Sequence, residues 1–341
     1  MSFTEDLVEQ AALSIFEELG WSYGDPLKVS PDGTDKVRQS NGEVILWDKL
    51  QTAAARLNSD IPAEAVDAAI RQITVSETPS LIEENRRIHG LLVNGIDVEF
   101  RTEDGAIKGD KVRLIDFDKP AKNDWFVTNQ FTVVENGHNR RPDIVAFING
   151  LPVSVLELKN AASENATIED AISQLETYKR EIPSLFRTNA TLISSDGLLA
   201  RIGSLSASRD RFMPWRTVTG AQDDFTPEGP REMETLIRGV FNPEYLLQLL
   251  RDFTVFGDKG DGVFKIVAGY HQFHGAKKAL ASAVEASSTD GDRKVGVIWH
   301  TQGSGKSFLM AFFAGLLVRS PELSNPTVVV LVVEIISVGQ H

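Results

Sequence analysis

The sequence lacks cysteine entirely, and it lacks long apolar runs. None of its 341 residues is cysteine, which excludes disulfides, thiolate nucleophiles and cysteine zinc sites and fits a reducing compartment. No stretch reaches the roughly 18 apolar residues that a membrane span requires. The acidic start of the chain, residues 1–6, has neither the basic beginning nor the apolar core of a signal peptide. These absences predict a cytoplasmic protein with no membrane partner.

An excess of positive charge is also missing. The net charge is -13, and because phosphate contacts need lysine and arginine, a general nucleic-acid coat is excluded. Any DNA contact must be a local patch, and basic residues do gather in the middle third of the chain: Arg140, Arg141, Lys179, Arg180, Arg187 and the arginines from Arg201 to Arg216. A solvated structural surface explains most of these charges equally well. The length and ordinary composition allow two globular domains.

What the sequence does contain is a strong hairpin signal. Two runs rich in branched apolar residues flank Asn149-Gly150. Asp143 begins the first predicted strand, and Glu157 and Lys159 end the second. Because side chains alternate between the faces of a strand, Glu157 and Lys159 project to one side. Three ionisable groups converge if Asp143 shares that face.

The register of the hairpin decides where Asp143 points. A two-residue loop places Asp143 opposite Leu156, on the face away from Glu157. A three-residue loop, 148–150, with a G1 bulge places it opposite Val155 and diagonal to Glu157, roughly 7–8 Å away at Cα. We therefore predict the three-residue loop, or an equivalent bulge nearer Asp143.

These residue types suit phosphodiester hydrolysis. The carboxylates of Asp143 and Glu157 are hard oxygen ligands for Mg²⁺ and would leave positions for water and a phosphate oxygen. Lys159 would hold or activate the water and offset developing negative charge. The alternative is a surface hairpin with an incidental Glu-Leu-Lys, which spacing alone favours equally; Pro142, the hairpin signal and the following helix favour the site.

An amphipathic helix is predicted at the start of the chain, over residues 5–21. Thr4 is its expected N-cap and Gly20 its C-cap. Glu9 lies one turn before the apolar Leu13, so it could point towards a site beside the core. A first-turn acid that favours the helix dipole is the alternative explanation.

The middle of the chain predicts a mixed α/β core. After a loop at 22–41 and helices between 46 and 93, strand-like segments at 98–101, 111–115 and 125–133 lead into the hairpin as one mixed sheet. A helix follows, capped by Thr167 and running to about Glu181. It carries Gln174 and Tyr178 as neighbours at i,i+4, and a strand at 191–195 follows it.

Two further segments complete the predicted organisation. Residues 196–229 are polar and are predicted to be a linker, and 231–253 are predicted to be helical with a break near Pro243. We predict a nuclease domain over 1–195, a linker with connecting helices over 196–245, and a second domain over 246–341.

A phosphate-binding loop is predicted near the end of the chain. Residues 295–299 read as a buried strand, 302–307 as a loop and 308–318 as an apolar helix, the context that a nucleoside triphosphate cradle requires. Backbone N–H groups of the loop and the helix dipole would bind phosphate. The predicted cofactor-binding residues are Gly303, Ser304, Gly305, Lys306 and Ser307, with Lys306 on the β- and γ-phosphates and Ser307 on Mg²⁺.

One position departs from the strict form of the phosphate-loop pattern. His300 stands where that pattern requires glycine, and we interpret His300 as structural rather than catalytic.

The nuclease elements resemble a known pattern. Pro142-Asp143 with Glu157-Leu158-Lys159 resembles the PD-(D/E)xK nuclease motif, and Gln174 with Tyr178 resembles the QxxxY motif of its RecB-like subgroup. The resemblance implies that Asp143 and Glu157 bind metal, that Lys159 is catalytic, and that Gln174 and Tyr178 contact DNA near the cleavage site. Glu9 matches the supporting acid of the first helix in that fold, and Glu5 is the less favoured candidate. Ordinary helix packing and capping is the alternative for Gln174 and Tyr178.

The order of the motifs resembles a larger family. Gln272, just before a predicted helix, resembles the adenine-reading glutamine of superfamily 2 helicases, although a buried polar helix start is an equal alternative. A nuclease motif followed by the segment 299–307 is similar to the restriction subunit of type I restriction-modification enzymes, from Glu9 through the phosphate loop. This implies a restriction-endonuclease-like mixed sheet flanked by helices, followed by a RecA-like motor lobe. It also implies Mg²⁺ and ATP as cofactors, and double-stranded DNA and methylation and specificity subunits as partners.

The end of the sequence departs from that family. A motor of this kind needs a downstream acidic motif and a second lobe with an arginine finger, and neither fits after the strand predicted at 327–333. We therefore expect a fragment with an incomplete motor lobe that does not turn over ATP. Residues 334–341 also depart from the family's usual continuation, and the apolar run 328–333 is predicted to be exposed or aggregation-prone.

The sequence is compatible with three functions, of which one is favoured. The principal hypothesis is a Mg²⁺-dependent endonuclease of double-stranded DNA, coupled in the full-length protein to ATP-driven translocation. The alternative is a non-catalytic assembly module that binds metal and the methyltransferase core but cuts nothing without the missing motor. A stand-alone ATPase is disfavoured because the downstream motifs are absent.

Overall fold

A computed structural model describes residues 5–102, 105–159, 167–260, 262–301 and 303–331. The chain divides into two compact units, 1–270 and 271–341. The predicted boundaries after residues 195 and 245 remain predictions. Thr4, the side chain of Glu5, Gln302 and residues 332–341 lie outside the described part, and so do the predictions made for them.

The described elements follow in chain order. The helices are α1 (Glu5–Glu18), α2 (Pro26–Val29), α3 (Trp47–Leu57), α4 (Ala63–Thr74), α5 (Leu81–Asn94), α6 (Ile168–Glu181), α7 (Glu232–Val240), α8 (Pro243–Asp252), α9 (Tyr270–Ser287) and α10 (Lys306–Arg319). The strands are β1 (Ser22–Gly24), β2 (Ile96–Arg101), β3 (Ile107–Val112), β4 (Trp125–Asn129), β5 (Val133–Glu135), β6 (His138–Arg140), β7 (Ile144–Ile148), β8 (Leu151–Leu158), β9 (Thr191–Ser195), β10 (Ala200–Gly203), β11 (Thr254–Lys259) and β12 (Gly262–Val267).

A six-stranded mixed sheet forms the centre of the first unit. Its order is β1-β4-β7-β8-β9-β10, with β1 parallel to β4, β8 parallel to β9 and the other pairs antiparallel. Helix α6 is the crossover between the parallel strands β8 and β9, as a parallel pair requires. The predicted α/β class, with a mixed sheet flanked by helices, is confirmed.

Parts of the sheet differ from the prediction. β2 and β3 pair only with each other in a separate two-stranded sheet, whereas they were expected in the main one. β1 lies in the predicted loop 22–41 and β10 lies in the predicted linker 196–229. Both strands are very short, three and four residues, so neither shows a clear alternation of apolar and polar residues. β1 also pairs with the distant β4, whereas β10 pairs with the preceding β9.

Helix α6 packs on the face of the sheet that carries the site. Thr167 is its N-cap, as predicted, and forms a capping box: its Oγ1 accepts from Asp170 N at 3.3 Å, and Asp170 Oδ2 accepts from Thr167 N at 2.9 Å. Leu175 and Tyr178 on α6 belong to the buried core beneath it. Apolar burial of this kind contributes roughly 1.5–3 kcal/mol for each large side chain, which fixes α6 over β8 and β9.

Helix α1 ends as predicted, with Gly20 in the left-handed region at φ 88. Phe16 on its buried face packs against Phe241 and Trp21, with ring centroids 4.8 and 5.3 Å apart. Trp21 Nε1 donates to the carbonyl of Phe241 at 2.9 Å. The segment after α7 is therefore part of the same packed unit as α1.

The second unit contains α10, most of α9 and the loop that precedes α10. The predicted strand at 295–299 is wrong: these residues form no strand, and the side chains of Val297 and Trp299 are 90% and 91% exposed. Residues 327–331 also form no strand, and Val329 and Leu331 are exposed. A strand needs a neighbour for its backbone N–H and C=O groups, and no partner strand occurs among the described residues of this unit.

Candidate nuclease site and phosphate loop

The turn of the central hairpin is shorter than predicted. Ile148 pairs with Leu151, so the loop is the two residues Asn149 and Gly150, with φ of 51 and 78. Positive φ at both positions is the type I′ turn that suits the twist of paired strands. A Cβ on Gly150 would lie 2.4 Å from the carbonyl oxygen of Leu46, so only glycine fits there. The prediction of a three-residue loop is wrong.

A bulge nearer Asp143, the other predicted possibility, restores the register. Phe147 pairs with Pro152 and Ala146 with Ser154, so Val153 is an extra residue on β8. Beyond the bulge Ile144 pairs with Leu156, and continuing this register by one residue places Asp143 level with Glu157. The two acids therefore face each other directly instead of diagonally.

The acids and the lysine form one contiguous group. Asp143 Oδ2 accepts from the backbone N–H of Leu158 at 2.7 Å, and Lys159 Nζ donates to Glu157 Oε1 at 2.8 Å. Asp143 is 8% exposed and Glu157 is fully buried. Glu157 Oε2 has no hydrogen-bond partner within the described residues. A buried carboxyl oxygen without a partner is unusual in a folded protein.

The electrostatics of the group are set by burial. Burial raises the pKa of the Glu157 carboxyl to about 8, the charge of Asp143 adds to the rise, and Lys159 opposes it. In the absence of a cation, Glu157 therefore holds its proton at neutral pH. A carboxyl shifted in this way by desolvation and a neighbouring acid is typical of functional sites.

Glu9 lies behind Asp143, joined to it through Gln130. The buried Glu9 carboxylate accepts from Asn129 Nδ2 at 2.9 Å and from Gln130 Nε2 at 2.5 Å. Gln130 Nε2 also lies 3.4 Å from Asp143 Oδ1. Burial raises the pKa of Glu9, and the charge of Asp143 adds to the rise. The helix acid thus belongs to the site's surroundings, as the sequence predicts.

Sequence reasoning missed Gln130. Its backbone has φ 50, and its N–H donates to the carbonyl of Asp143 at 2.8 Å. A non-glycine residue with positive φ costs energy and is often found at functional sites, but it has no signature in a sequence.

Gln174 and Tyr178 lie on the face of α6 that overlooks the acids. Gln174 Nε2 donates to the Tyr178 hydroxyl at 2.5 Å. Burial raises the pKa of Tyr178, and the charge of Glu157 adds to the rise, which places the phenol beside the acid pair. Tyr178 is also a core residue, so the packing explanation holds alongside the proximity to the site.

The donor set for a metal is the acid pair. Within the described residues, no group of three Asp, Glu, His or Cys side chains could hold a metal ion. Asp143 and Glu157 nevertheless fit a hard divalent cation, because both present carboxylate oxygens and Glu157 Oε2 is buried without a partner. The remaining positions would fall to water and substrate oxygens.

The phosphate loop is shaped by two glycines. Gly303 has φ 80, and Gly305, with φ 78, is the N-cap of α10, so the backbone N–H groups of the first helical turn lie at the loop. Lys306 Nζ donates to the carbonyls of His300 and Thr301 at 2.9 and 3.0 Å. Ser307 is exposed in the first turn of α10.

Gln272 contacts the phosphate loop directly. Its Nε2 donates to the carbonyl of Gly305 at 3.1 Å, and His271 Nε2 lies 3.0 Å from the carbonyl oxygen of Ser304. Gln272 is 5% exposed, which agrees with a buried polar helix start. Its role in reading adenine stays a prediction.

The geometry defines a class: a mixed α/β fold with an acid, acid and lysine group on its sheet, followed along the chain by a phosphate-type loop. Residues 2–211 match the family model described as Type I restriction enzyme R protein N terminus, and residues 271–333 match the SWI2/SNF2 ATPase model. The chain therefore belongs to the type I restriction enzyme R protein family. Its resemblance to the restriction subunit is confirmed.

Curated relatives agree with this family. The Type I restriction enzyme HindI endonuclease subunit of Haemophilus influenzae is 40% identical over 329 residues, covering 96% of this chain and 31% of the relative. The putative MjaIXP endonuclease subunit of Methanocaldococcus jannaschii is 32% identical over 345 residues, covering 95% of this chain and 32% of the relative. This chain spans about a third of the length of these relatives. None of the helices in the described part is long and apolar enough to cross a membrane.

Proposed function

We propose that the first unit is a Mg²⁺-dependent endonuclease of double-stranded DNA that serves a type I restriction-modification system. The observation that carries this proposal is the bulged register, which puts Asp143 level with Glu157 and leaves the buried Glu157 Oε2 without a hydrogen-bond partner in the described chain. Both features are costly in a structural hairpin, and both are useful for holding a cation.

Each residue has a role in hydrolysis. Asp143 and Glu157 would hold Mg²⁺, which when bound supplies Lewis-acid activation of water and of a phosphate oxygen. Lys159, fixed 2.8 Å from Glu157 Oε1, orients the attacking water and stabilises the negative charge that develops on the phosphate. The water oxygen would form a bond to phosphorus, and the bond from phosphorus to the leaving sugar oxygen would break. One water proton would pass to solvent, and the leaving oxygen would take a proton from solvent to become a hydroxyl.

Positioning residues support this chemistry. The Leu158 N–H fixes one oxygen of Asp143, and Gln130, held by Glu9, lies beside the other. Preorganised contacts of this kind keep a reacting geometry from relaxing. Glu9 would act as a positioning residue, and Gln174 and Tyr178 would contact DNA beside the acids.

The phosphate loop of the second unit is proposed to serve the same restriction-modification system. We propose that residues 303–307 bind the phosphates of ATP, with Gln272 beside them, and that cleavage is coupled there to ATP-driven translocation along DNA. Methylation and specificity subunits are the proposed partners.

Cleavage of supercoiled plasmid tests the nuclease proposal. With Mg²⁺, Asp143→Asn and Lys159→Ala proteins should cleave at least about 100-fold more slowly than the unchanged chain, because a cation ligand or the charge that stabilises the transition state is lost. Asp67→Asn and Lys36→Ala, at exposed positions outside the site, are the matched controls and should cleave normally. Chelation by EDTA should abolish cleavage. Undiminished Mg²⁺-dependent cleavage by both site variants would refute the proposal.

One observation keeps the assembly module as a second candidate. The described residues offer two carboxylates and no third protein ligand in the site. If calorimetry shows Ca²⁺ binding that Asp143→Asn abolishes, while the chain cuts nothing and still associates with the methyltransferase core, the assembly module is the correct function.

A further inference from the structure

A polar pocket of about 390 Å³ opens beside the acid pair. One wall is the end of β6 and the residue after it, and the other wall is a half-buried face of α6 that ends at the buried Tyr178. Its lining residues are Asn139, Arg140, Arg141, Ser173, Gln174, Thr177 and Tyr178. Every lining side chain carries a hydrogen-bonding group, and two carry positive charge, which suits an anion.

The two arginines that line the pocket differ in whether they form an ion pair. Arg140 is ion-paired with Glu181, and the pairing lowers the pKa of that acid. Arg141 is exposed and makes no ion pair with any described residue. A third arginine, Arg209, reaches the pocket wall through its bond to Ser173 Oγ at 2.9 Å. Of the two arginines that line the pocket, Arg141 is therefore the one without an acidic partner among the described residues.

The pocket lies within one nucleotide step of the proposed reaction centre. Arg141 is two residues before Asp143, so their Cα atoms are at most about 7 Å apart. Tyr178 is shared, since it lines the pocket and lies near Glu157. Phosphates along one DNA strand are separated by about 3.4 Å of helix axis, so a strand with one phosphate at the acids presents its next phosphate close by.

We propose that this pocket binds the backbone phosphate next to the scissile one on the same DNA strand, with Arg141 as the anchoring cation. The amide of Gln174 supplies a second donor, because only one of its two N–H groups is used by the Tyr178 hydroxyl, whereas the hydroxyls of Ser173 and Thr177 already donate to the carbonyls of Glu169 and Ser173. The guanidinium suits this task because its fork of donors matches phosphate oxygens. The inference rests on the proposed nuclease function and adds where the strand is held.

Fluorescence anisotropy with a labelled duplex of about 25 base pairs tests the pocket, in Ca²⁺ to separate binding from cleavage. Arg141→Ala should weaken binding about fivefold to tenfold and should reduce the slope of log affinity against log salt by about 0.9, the value for one lost phosphate contact. Arg141→Lys should keep the slope and lose part of the affinity, because a point charge replaces a bidentate donor. Arg71→Ala, at an exposed position on α4, is the matched control and should change neither quantity.

The outcomes separate the pocket from the nuclease. Equal affinity and equal salt slope for Arg141→Ala and the unchanged chain would overturn the pocket, even if Asp143→Asn abolishes cleavage. A reduced slope in Arg141→Ala, with no cleavage by the unchanged chain, would support the pocket and refute the nuclease. Arg141 is exposed, so its variants should keep the melting temperature, and Arg141→Lys provides a second reading should the alanine variant fail to fold.

Discussion

The hairpin of the first unit and the phosphate loop of the second are both short turns shaped by glycine, and they differ in what holds them. Asn149 at the hairpin turn is fully buried, and its side chain bonds to Leu114, Asn123 and Asp124. The phosphate loop is largely exposed and is held by His300 and Gln272 of its own unit.

This difference shows two ways of building a site. The phosphate loop depends on local features, two glycines with positive φ and the first turn of α10. The acid site depends on pairing between strands that lie far apart in sequence and on a bulge. The first kind of site forms wherever its short sequence can adopt its backbone shape, whereas the second requires the whole sheet.

The largest expected effect is the loss of stability of the first unit when Asn149 is replaced. Asn149→Ala removes three buried side-chain hydrogen bonds and the residue type that tolerates φ 51, which should lower the free energy of unfolding of the first unit by about 3 kcal/mol or more. The matched control is Asn136→Ala, at an exposed Asn-Gly turn with φ 50, where only the conformational preference is lost, about 1 kcal/mol. Urea unfolding followed by tryptophan fluorescence measures both. Equal losses of unfolding free energy in the two variants would show that the buried hydrogen bonds of Asn149 do not stabilise the first unit.

An effect of intermediate size is expected for the Ca²⁺ affinity of the acid site, which should depend on pH. A cation needs the ionised Glu157, whose pKa is raised to about 8, so Ca²⁺ affinity should rise about tenfold per pH unit from pH 6 to about 8 and then level off. The same shift means that the folded protein keeps a proton that the unfolded chain loses near 4.5, so this contribution to stability is lost as pH rises from about 4.5 to 8.

Calorimetry from pH 6 to 9 measures the affinity. Glu157→Gln should bind weakly at every pH, with no slope, and nucleotide binding to the phosphate loop should not follow the same curve. A flat Ca²⁺ profile between pH 6 and 8 would contradict the assignment.

A substitution in the phosphate loop should have the smallest effect. Gly305 has φ 78, and a Cβ there would lie 2.5 Å from Gln272 Nε2, so Gly305→Ala should weaken nucleotide binding about fivefold, a cost of about 1 kcal/mol. DNA cleavage by the first unit should be unchanged. The matched control is Gly315→Ala, in the interior of α10 with nothing within 4 Å of the added carbon, which should keep nucleotide affinity. A loss of cleavage in Gly305→Ala would show that the two sites depend on each other.

Local signals made much of the fold predictable. The Asn149-Gly150 hairpin signal, the Thr167 cap and the pairing of Gln174 with Tyr178 depend on neighbouring residues, and the structure has all three, although the turn has two residues where three were predicted. The roles of the site residues remain predictions. Their arrangement is now specific enough to test.

Features set by distant residues were harder to predict: the bulge was expected only as an alternative to a longer loop, and Gln130 was missed. The bulge at Val153 depends on how β7 and β8 meet the rest of the sheet, and Gln130 takes positive φ only in that setting. The segment 295–299 has the composition of a buried strand, but composition does not supply a neighbour to pair with.

The bulge at Val153 also has a consequence for how the motif varies among proteins. The extra residue is absorbed without moving Asp143 away from Glu157, and a chain with one residue fewer at this point would bring the same two acids together through an unbulged hairpin with the same turn. The number of residues between the acid of the first strand and that of the second is therefore not fixed by the chemistry. Searches for this site should accept spacings that differ by one residue and should instead require that both acids fall on one face of the sheet.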